Sequence, residues 1–258
     1  MSTTGIFGGG ARVDSPGITP KPLAPDATLI LVDLDDPKQA AIMLAQRKIC
    51  GWGADNIRVW HKYIKSGERA MFWIALPSSS AAATSVPRSD ALDCIPSSKD
   101  GKEDQFLLVG HTALDWIDLP VEDHFQVDDT LTAEDGSVLT ISSLCIMPEF
   151  KAYGLGTWSM QKLEEMAQQK PYGSPNCRAI AVNTLSDRHV KGGIPGPEGL
   201  DMFPNLGIPI PDRSNVGWFE KMGYVRYKEE KRYEAKGING NTVYIWAVFL
   251  RKELPPKQ

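Results

Sequence analysis

The sequence has no surplus of either charge. Its 258 residues carry 28 Lys and Arg against 32 Asp and Glu, a net charge of −4. A dedicated nucleic-acid binder usually carries a basic excess, so that class is set aside. No apolar run reaches the roughly 20 residues of a membrane span. Residues 1–27 lack the basic and then apolar pattern of a secretory signal. The expectation is a cytoplasmic protein with no nucleic-acid or membrane partner. Cysteine is scarce: Cys50, Cys94, Cys145 and Cys177 stand far apart. No pair has metal-site or CxxC spacing, which argues for reduced thiols, no disulfide framework and no metal.

What is present is the composition of a globular chain, with 42% hydrophobic and 23% charged residues. Wholesale disorder is excluded. Glycine and proline number 23 and 19, a surplus over the usual share. The surplus gathers in residues 1–27, which read as a flexible arm, and in 187–214. Gly8-Gly9-Gly10 follows no strand and fits no nucleotide-loop pattern. Residues 28–254 read as a single domain with insertions at 78–104, 119–135 and 187–214. The length alone would also allow two small domains.

Residues 28–34 (TLILVDL) predict a strand. Asp36 and Pro37 then offer an N-cap and a first helical residue. Ile42, Ala45 and Ile49 continue at helical spacing, and Gly51 and Gly53 end the helix. Residues 56–68 predict a second helix and 70–76 (AMFWIAL) a strand. Residues 78–104 show no period and read as a solvated insertion. Residues 105–118 predict a long strand with a bulge at Gly110. Residues 119–135 hold Glu122, Asp123, Asp128, Asp129, Glu134 and Asp135 and no Lys or Arg. A buried strand (136–147), a helix (156–170), a strand (177–185) and a short helix (215–222) follow. Two strands, 224–236 and 242–254, flank the hairpin signal GINGN.

The segment LCIMPEFKAYGLGTWSM, residues 144–160, carries the chemistry. A strand stops at Pro148, two glycines follow, and a helix opens at once. Backbone N–H groups converge at such a turn, and the helix adds about half a positive charge. Glycines let an anion come close to the main chain, which is how a diphosphate is held.

KAYGLGT resembles the (Arg/Gln)-x-x-Gly-x-(Gly/Ala) signature of the GCN5-related N-acetyltransferases, the GNAT superfamily. The Leu144-x-Ile146-x-Pro148 pattern before it and WFEKMGY (218–224) after it also resemble that family. The resemblance implies a three-layer α/β/α acyl-CoA N-acyltransferase fold. Its sheet would be mixed and mostly antiparallel, with six or seven strands and two splayed parallel strands, 136–147 and 177–185. It implies acetyl-CoA as cosubstrate. The diphosphate would lie on main-chain N–H groups of Lys151, Ala152, Tyr153, Gly154, Leu155, Gly156 and Thr157. The pantetheine arm would pair with Leu144, Cys145 and Ile146, and Asn183 would hydrogen-bond it. Lys151 stands where Arg or Gln is usual and still neutralises phosphate as a point charge.

In the implied reaction a neutral amine attacks the thioester carbonyl. A backbone N–H, of Ile146 or Cys145, stabilises the oxyanion. No carboxylate stands at Thr140, Ser142 or Ser143, so Asp115 becomes the candidate base. Phe219 occupies the position of a family tyrosine that protonates the departing thiolate, and it has no hydroxyl to give. The acceptor is expected to be a small-molecule amine or a lysine side chain, attracted by the carboxylates of 119–135. Trp52 and Trp60 would form an apolar wall there, with core packing the favoured role of Trp60, and Arg188 and Lys191 would reach the nucleotide phosphate or stand as plain surface charge. A monomer or homodimer is expected. The competing readings are another acyl group, an oxygen acceptor, a CoA-binding module with little or no catalysis, and an interaction domain that binds no CoA.

Overall fold

Asp36 accepts a hydrogen bond from the Lys38 N–H, and Pro37 starts the helix behind it, as the capping rule requires. This start belongs to a computed structural model that describes residues 26–96, 105–119, 127–191 and 196–256. The N-terminal arm, Gly8-Gly9-Gly10, Glu122 and Asp123 lie outside the described residues.

In chain order the elements begin with β1 (Thr28–Leu31), α1 (Pro37–Cys50), a 3₁₀ turn (Ala54–Asn56) and α2 (Ile57–Ser66). Next come β2 (Arg69–Pro77), α3 (Ala81–Thr84), β3 (Cys94–Pro96), β4 (Gln105–Asp115) and β5 (Val138–Ile146). A 3₁₀ turn (Pro148–Tyr153) leads into α4 (Leu155–Ala167), then β6 (Ala179–Leu185), α5 (Arg188–Lys191) and α6 (Met202–Asn205). The chain closes with α7 (Val216–Lys221), β7 (Val225–Lys236) and β8 (Thr242–Glu253).

The strands form one mixed sheet in the order β1-β2-β4-β5-β6-β8-β7, with β3 added beside β4. Among the described residues that makes eight strands rather than six or seven. β5 and β6 are parallel, whereas β1–β2, β3–β4, β6–β8 and β7–β8 are antiparallel. β2, between two neighbours, is buried from Arg69 to Leu76, and apolar residues fill both of its faces. The last strand of the path, β7, is mostly exposed or half-buried and rich in charge, a pattern that guards an edge against pairing.

Two compact units divide the described chain: residues up to Leu114 with Ile141–Met166, and Asp115–Thr140 with the residues from Ala167 on. The first has a core that includes Ile74, Leu76, Leu107, Val109, Met147 and Phe150. The second has one that includes Leu131, Val138, Ala179, Ala181, Ala247 and Phe249.

The segment 78–104 departs from the expected solvated loop. Ser80 caps α3 by accepting from the Ala83 N–H. Ala91, Leu92, Cys94 and Ile95 are buried, and β3 pairs with β4. Four buried side chains outweigh the polar composition around them. At Gly110 the neighbouring strand comes close. A Cβ there would stand 2.3 Å from the Cys145 carbonyl oxygen, so any side chain would push β4 off β5.

Candidate active site

β5 departs from a regular strand at Ser143, which has φ +55° and is the one non-glycine residue with positive φ among those described. That conformation costs about 1–2 kcal/mol in an L-residue, so something must hold it. Arg69 does: its Nη2 donates to Ser143 Oγ at 2.6 Å and its Nη1 to Ser142 Oγ at 3.3 Å. The Arg69 guanidinium lies over the Trp60 ring at 4.7 Å, and Arg47 lies over the same ring at 5.0 Å. Trp60 is therefore packed in the core, as a buried platform for two cations.

The remaining bonds of this cluster are fully determined. Gln46 Nε2 donates to the carbonyls of Ala91 and Leu108, so its Oε1 faces His111. His111 Nδ1–H donates to that oxygen at 2.8 Å, and Nε2 accepts from Arg47 Nη1 at 3.2 Å. Burial, with the charges of Arg47 and Arg69, holds the His111 pKa well below its ordinary value. The ring is neutral.

Past the kink, Leu144 and Ile146 are half-buried and Cys145 is buried. The Met147 N–H donates to the Val109 carbonyl and ties the strand end to β4. The turn that follows has two sides. Phe150, Tyr153 and Leu155 point into the core, with the rings of Phe150 and Tyr153 5.8 Å apart. Burying such a side chain is worth roughly 1.5–3 kcal/mol. On the other side, Lys151 and Gly154 are exposed, and Gly156 and Thr157 are half-buried. Gly154 has φ +72°, a left-handed conformation natural only to glycine. The α4 ladder starts with the Trp158 N–H donating to Gly154, so the first-turn N–H groups stand ahead of it. Leu144, Cys145, Ile146, Lys151, Ala152, Tyr153, Gly154, Leu155, Gly156 and Thr157 thus fall in one unit, on one continuous stretch.

Asp115, Asn183 and Phe219 belong to the other unit. Asp115 is buried at 1% exposure, not solvated. Asn183 Oδ1 accepts from the Tyr233 hydroxyl at 3.3 Å. Phe219 packs edge-on against Trp218 and Tyr224.

Three charged expectations need correction. Asp128 is not free to attract an acceptor. Its carboxylate accepts from Lys228 and Thr130 and faces Arg232. Burial pushes its pKa up, but the hydrogen bonds from Lys228 and Thr130 outweigh that and hold it low. Asp129 remains exposed. Arg188 is paired with Glu229 and stacked on Trp246 at 3.6 Å, and Lys191 is paired with Asp187. Those two cations are engaged within their own unit.

β5 and β6 form the only parallel pair among the strand pairs described here, and their ladder stops after Val138–Ala179, Leu139–Ile180 and Thr140–Ala181. Between them the chain makes the glycine turn and α4. This is the arrangement that the GNAT resemblance implies. No family model matches the chain, and no curated protein does. Among solved structures, the chain is similar to a spermidine N-acetyltransferase SpeG chimera from Vibrio cholerae and hSSAT. There the identity is 12% and the TM-score 0.46, over 89% of this chain and 96% of that one. It is also similar to the aminoglycoside 6'-N-acetyltransferase from Enterococcus faecium (13% identity, TM-score 0.46, 90% and 99% covered). A third is Arabidopsis thaliana NAA60 in complex with a bisubstrate analogue (8% identity, TM-score 0.47, 90% and 99% covered).

Proposed function

We propose that the chain is a GNAT acyltransferase that moves an acetyl group from acetyl-CoA to a primary amine. The observation that carries this reading is the turn at 148–157. Its inner face is pinned by Phe150, Tyr153 and Leu155, and its outer face offers main chain, Gly154 and Lys151 at the start of a 13-residue helix. A diphosphate fits such a surface: no side chain stands at Gly154, the helix dipole favours an anion, and Lys151 adds a charge. The pantetheine arm would run along Leu144, Cys145 and Ile146 beyond the kink at Ser143.

The chemistry asks for position more than for reactive side chains. A neutral amine attacks the thioester carbon, and the carbonyl oxygen takes up negative charge. A main-chain N–H at Cys145 or Ile146 meets that charge, and the tetrahedral species collapses by expelling the CoA thiolate. The reading assigns the base to Asp115, arm binding to Asn183 and packing to Phe219. Since Phe219 has no acidic proton, the thiolate takes its proton from solvent or from the acceptor's own nitrogen, which carries the extra proton in the tetrahedral species.

A second reading, a CoA-binding module with weak catalysis, draws on that missing hydroxyl. Thiol release from acetyl-CoA with a panel of polyamines, amino sugars and lysine peptides separates the two, alongside calorimetric titration with CoA. Turnover on any amine supports the transferase. Binding without turnover supports the module, and absence of binding removes both.

A further inference from the structure

α2 buries a single side chain, Trp60, and the rest of the helix is half-buried or exposed. That one indole lies under two guanidinium groups, Arg69 at 4.7 Å and Arg47 at 5.0 Å. The face of an indole attracts a cation, most strongly where water is excluded. Both arginines are buried, so the attraction acts away from water. Arg47 is fixed a second time, because its Nη1 donates to His111 Nε2 at 3.2 Å and His111 is held by Gln46. Arg69 has further to reach. It opens β2, and β4 lies between β2 and β5 in the sheet. Its guanidinium nevertheless arrives at Ser142 and Ser143 on β5. A long side chain stretched across a neighbouring strand gives up many rotamers, and a flat surface under its planar head offsets part of that loss. Trp60 is such a surface. The hydrogen bonds at the far end close on Ser143, whose φ of +55° is a shape that an L-residue leaves unless held. Trp60, Arg69 and the strand from Ser142 to Ile146 all belong to one unit.

We propose that Trp60 is a positioning residue for the cosubstrate: by holding the Arg69 guanidinium it keeps β5 kinked at Ser143, and so keeps Leu144, Cys145 and Ile146 presented to the pantetheine arm. The inference rests on the acyltransferase reading for the identity of the ligand. Trp60 acts through Arg69 and takes no part in making or breaking bonds. When only the kinked strand binds, the apparent Kd for CoA is the intrinsic Kd divided by the kinked fraction. Weakening the hold on Arg69 lowers that fraction, and CoA binds more weakly. The effect travels from a core helix to the proposed ligand strand through one side chain, which makes it separable from a loss of packing.

The test changes Trp60, one of seven tryptophans, to mono-, di- and trifluorotryptophan by site-specific incorporation into the full-length protein. Fluorine withdraws charge from the ring face with little change in shape, so the attraction for a cation falls step by step while packing is kept. Calorimetric titration with CoA should give a Kd that rises at each step, to about tenfold for the trifluoro form. The same series built on Arg69→Met should show no trend, because the side chain that links the ring to β5 is gone. Melting temperatures are recorded for every form. A Kd that stays within about twofold across the first series, whatever the melting temperature does, would overturn the proposal and leave Trp60 a structural platform. A trend that persists undiminished without Arg69 would overturn it as well. Failure of the unmodified protein to bind CoA removes the acyltransferase reading and this inference with it, whereas a flat series in a protein that binds CoA removes the inference alone. The first series truncates no side chain, so it decides the matter even where Arg69→Met fails to fold.

Discussion

The side chain of Arg232 is 3% exposed and Arg69 is buried, and the two are held in different ways. Arg232, on β7, faces carboxylates: Asp118 at 2.6 Å and Asp128 and Glu230 at 3.7 Å. Lys228 joins the same Asp128. Arg69, on β2, reaches two serine hydroxyls on β5 and lies over an indole. The first arrangement is a cross-link between charges, and removing one leaves others buried. The second holds a backbone shape, because its hydrogen bonds end on the residue in the left-handed conformation. The acidic segment that looked like an acceptor trap in the sequence has Asp128 joined to its own unit's Lys228 and Arg232. The neutral serines carry the shape of the strand proposed to receive the cosubstrate. The two regions should therefore fail differently, one in stability and the other in ligand affinity.

The largest effect is expected from Arg232→Met. Asp118 and Asp128 would lose their guanidinium partner in a buried site, a loss worth about 3–5 kcal/mol. Urea denaturation should show it as a lower midpoint with little change in slope. CoA affinity of the folded fraction should stay within about twofold. A variant that keeps its midpoint but loses CoA would reverse the comparison.

Gly154→Asp should do the opposite. Charge at the turn opposes a diphosphate, and a side chain is forced into φ +72°. The Kd for CoA should rise about a hundredfold, close to 2.7 kcal/mol. The strain should take only about 1–2 kcal/mol of stability. Gly154→Ala separates the two effects, since it keeps the strain and adds no charge. An unchanged Kd in a folded Gly154→Asp protein would remove the turn as the phosphate site.

Arg69→Lys sharpens the contrast further. Lysine keeps the charge over Trp60 but loses the planar fork that spans Ser142 and Ser143. The KM for acetyl-CoA should rise about tenfold, near 1.4 kcal/mol, with a smaller change in kcat. A purely structural arginine would instead give a lower melting temperature with KM unmoved.

These differences also mark what a sequence can carry. β2, β4, β6 and β8 were legible as apolar runs, α1 from Asp36 and Pro37, and the glycine turn from its position between a strand and a helix. Each of those signals is local. β3 was not legible, because Ala91, Leu92, Cys94 and Ile95 follow no two-residue period and sit among serines and aspartates. The Arg69 clamp joins residues on different strands, and the bonds of Gln46 and Arg47 to His111 join α1 to β4. No spacing rule reaches such pairs. Asp128 was visible as a carboxylate, but whether it faces a ligand or Arg232 is decided by the pairing of distant segments. The roles of Asp115, Asn183 and Phe219 stay where the resemblance put them, as proposals for mutagenesis.

The smallest expected effect tests the neutral side of the comparison. His111 is buried, bonded through both ring nitrogens to Gln46 and Arg47, and acted on by the charges of Arg47 and Arg69. Its folded pKa lies well below 6.5, the value expected when it is exposed. As pH falls through 6.5 the unfolded chain binds a proton at this residue and the folded chain does not. Stability contributed by the neutral ring is therefore present above that pH and is lost below it. The loss from this one group between pH 7 and 6 is about 0.7 kcal/mol. His111→Gln lowers stability at every pH but carries no titrating group, so its pH slope should be shallower by that amount. Paired urea titrations at the two pH values measure the difference, and common contributions from other groups cancel. Equal slopes would mean that His111 is protonated in the folded protein, and the bond assigned from Arg47 to Nε2 would then be wrong.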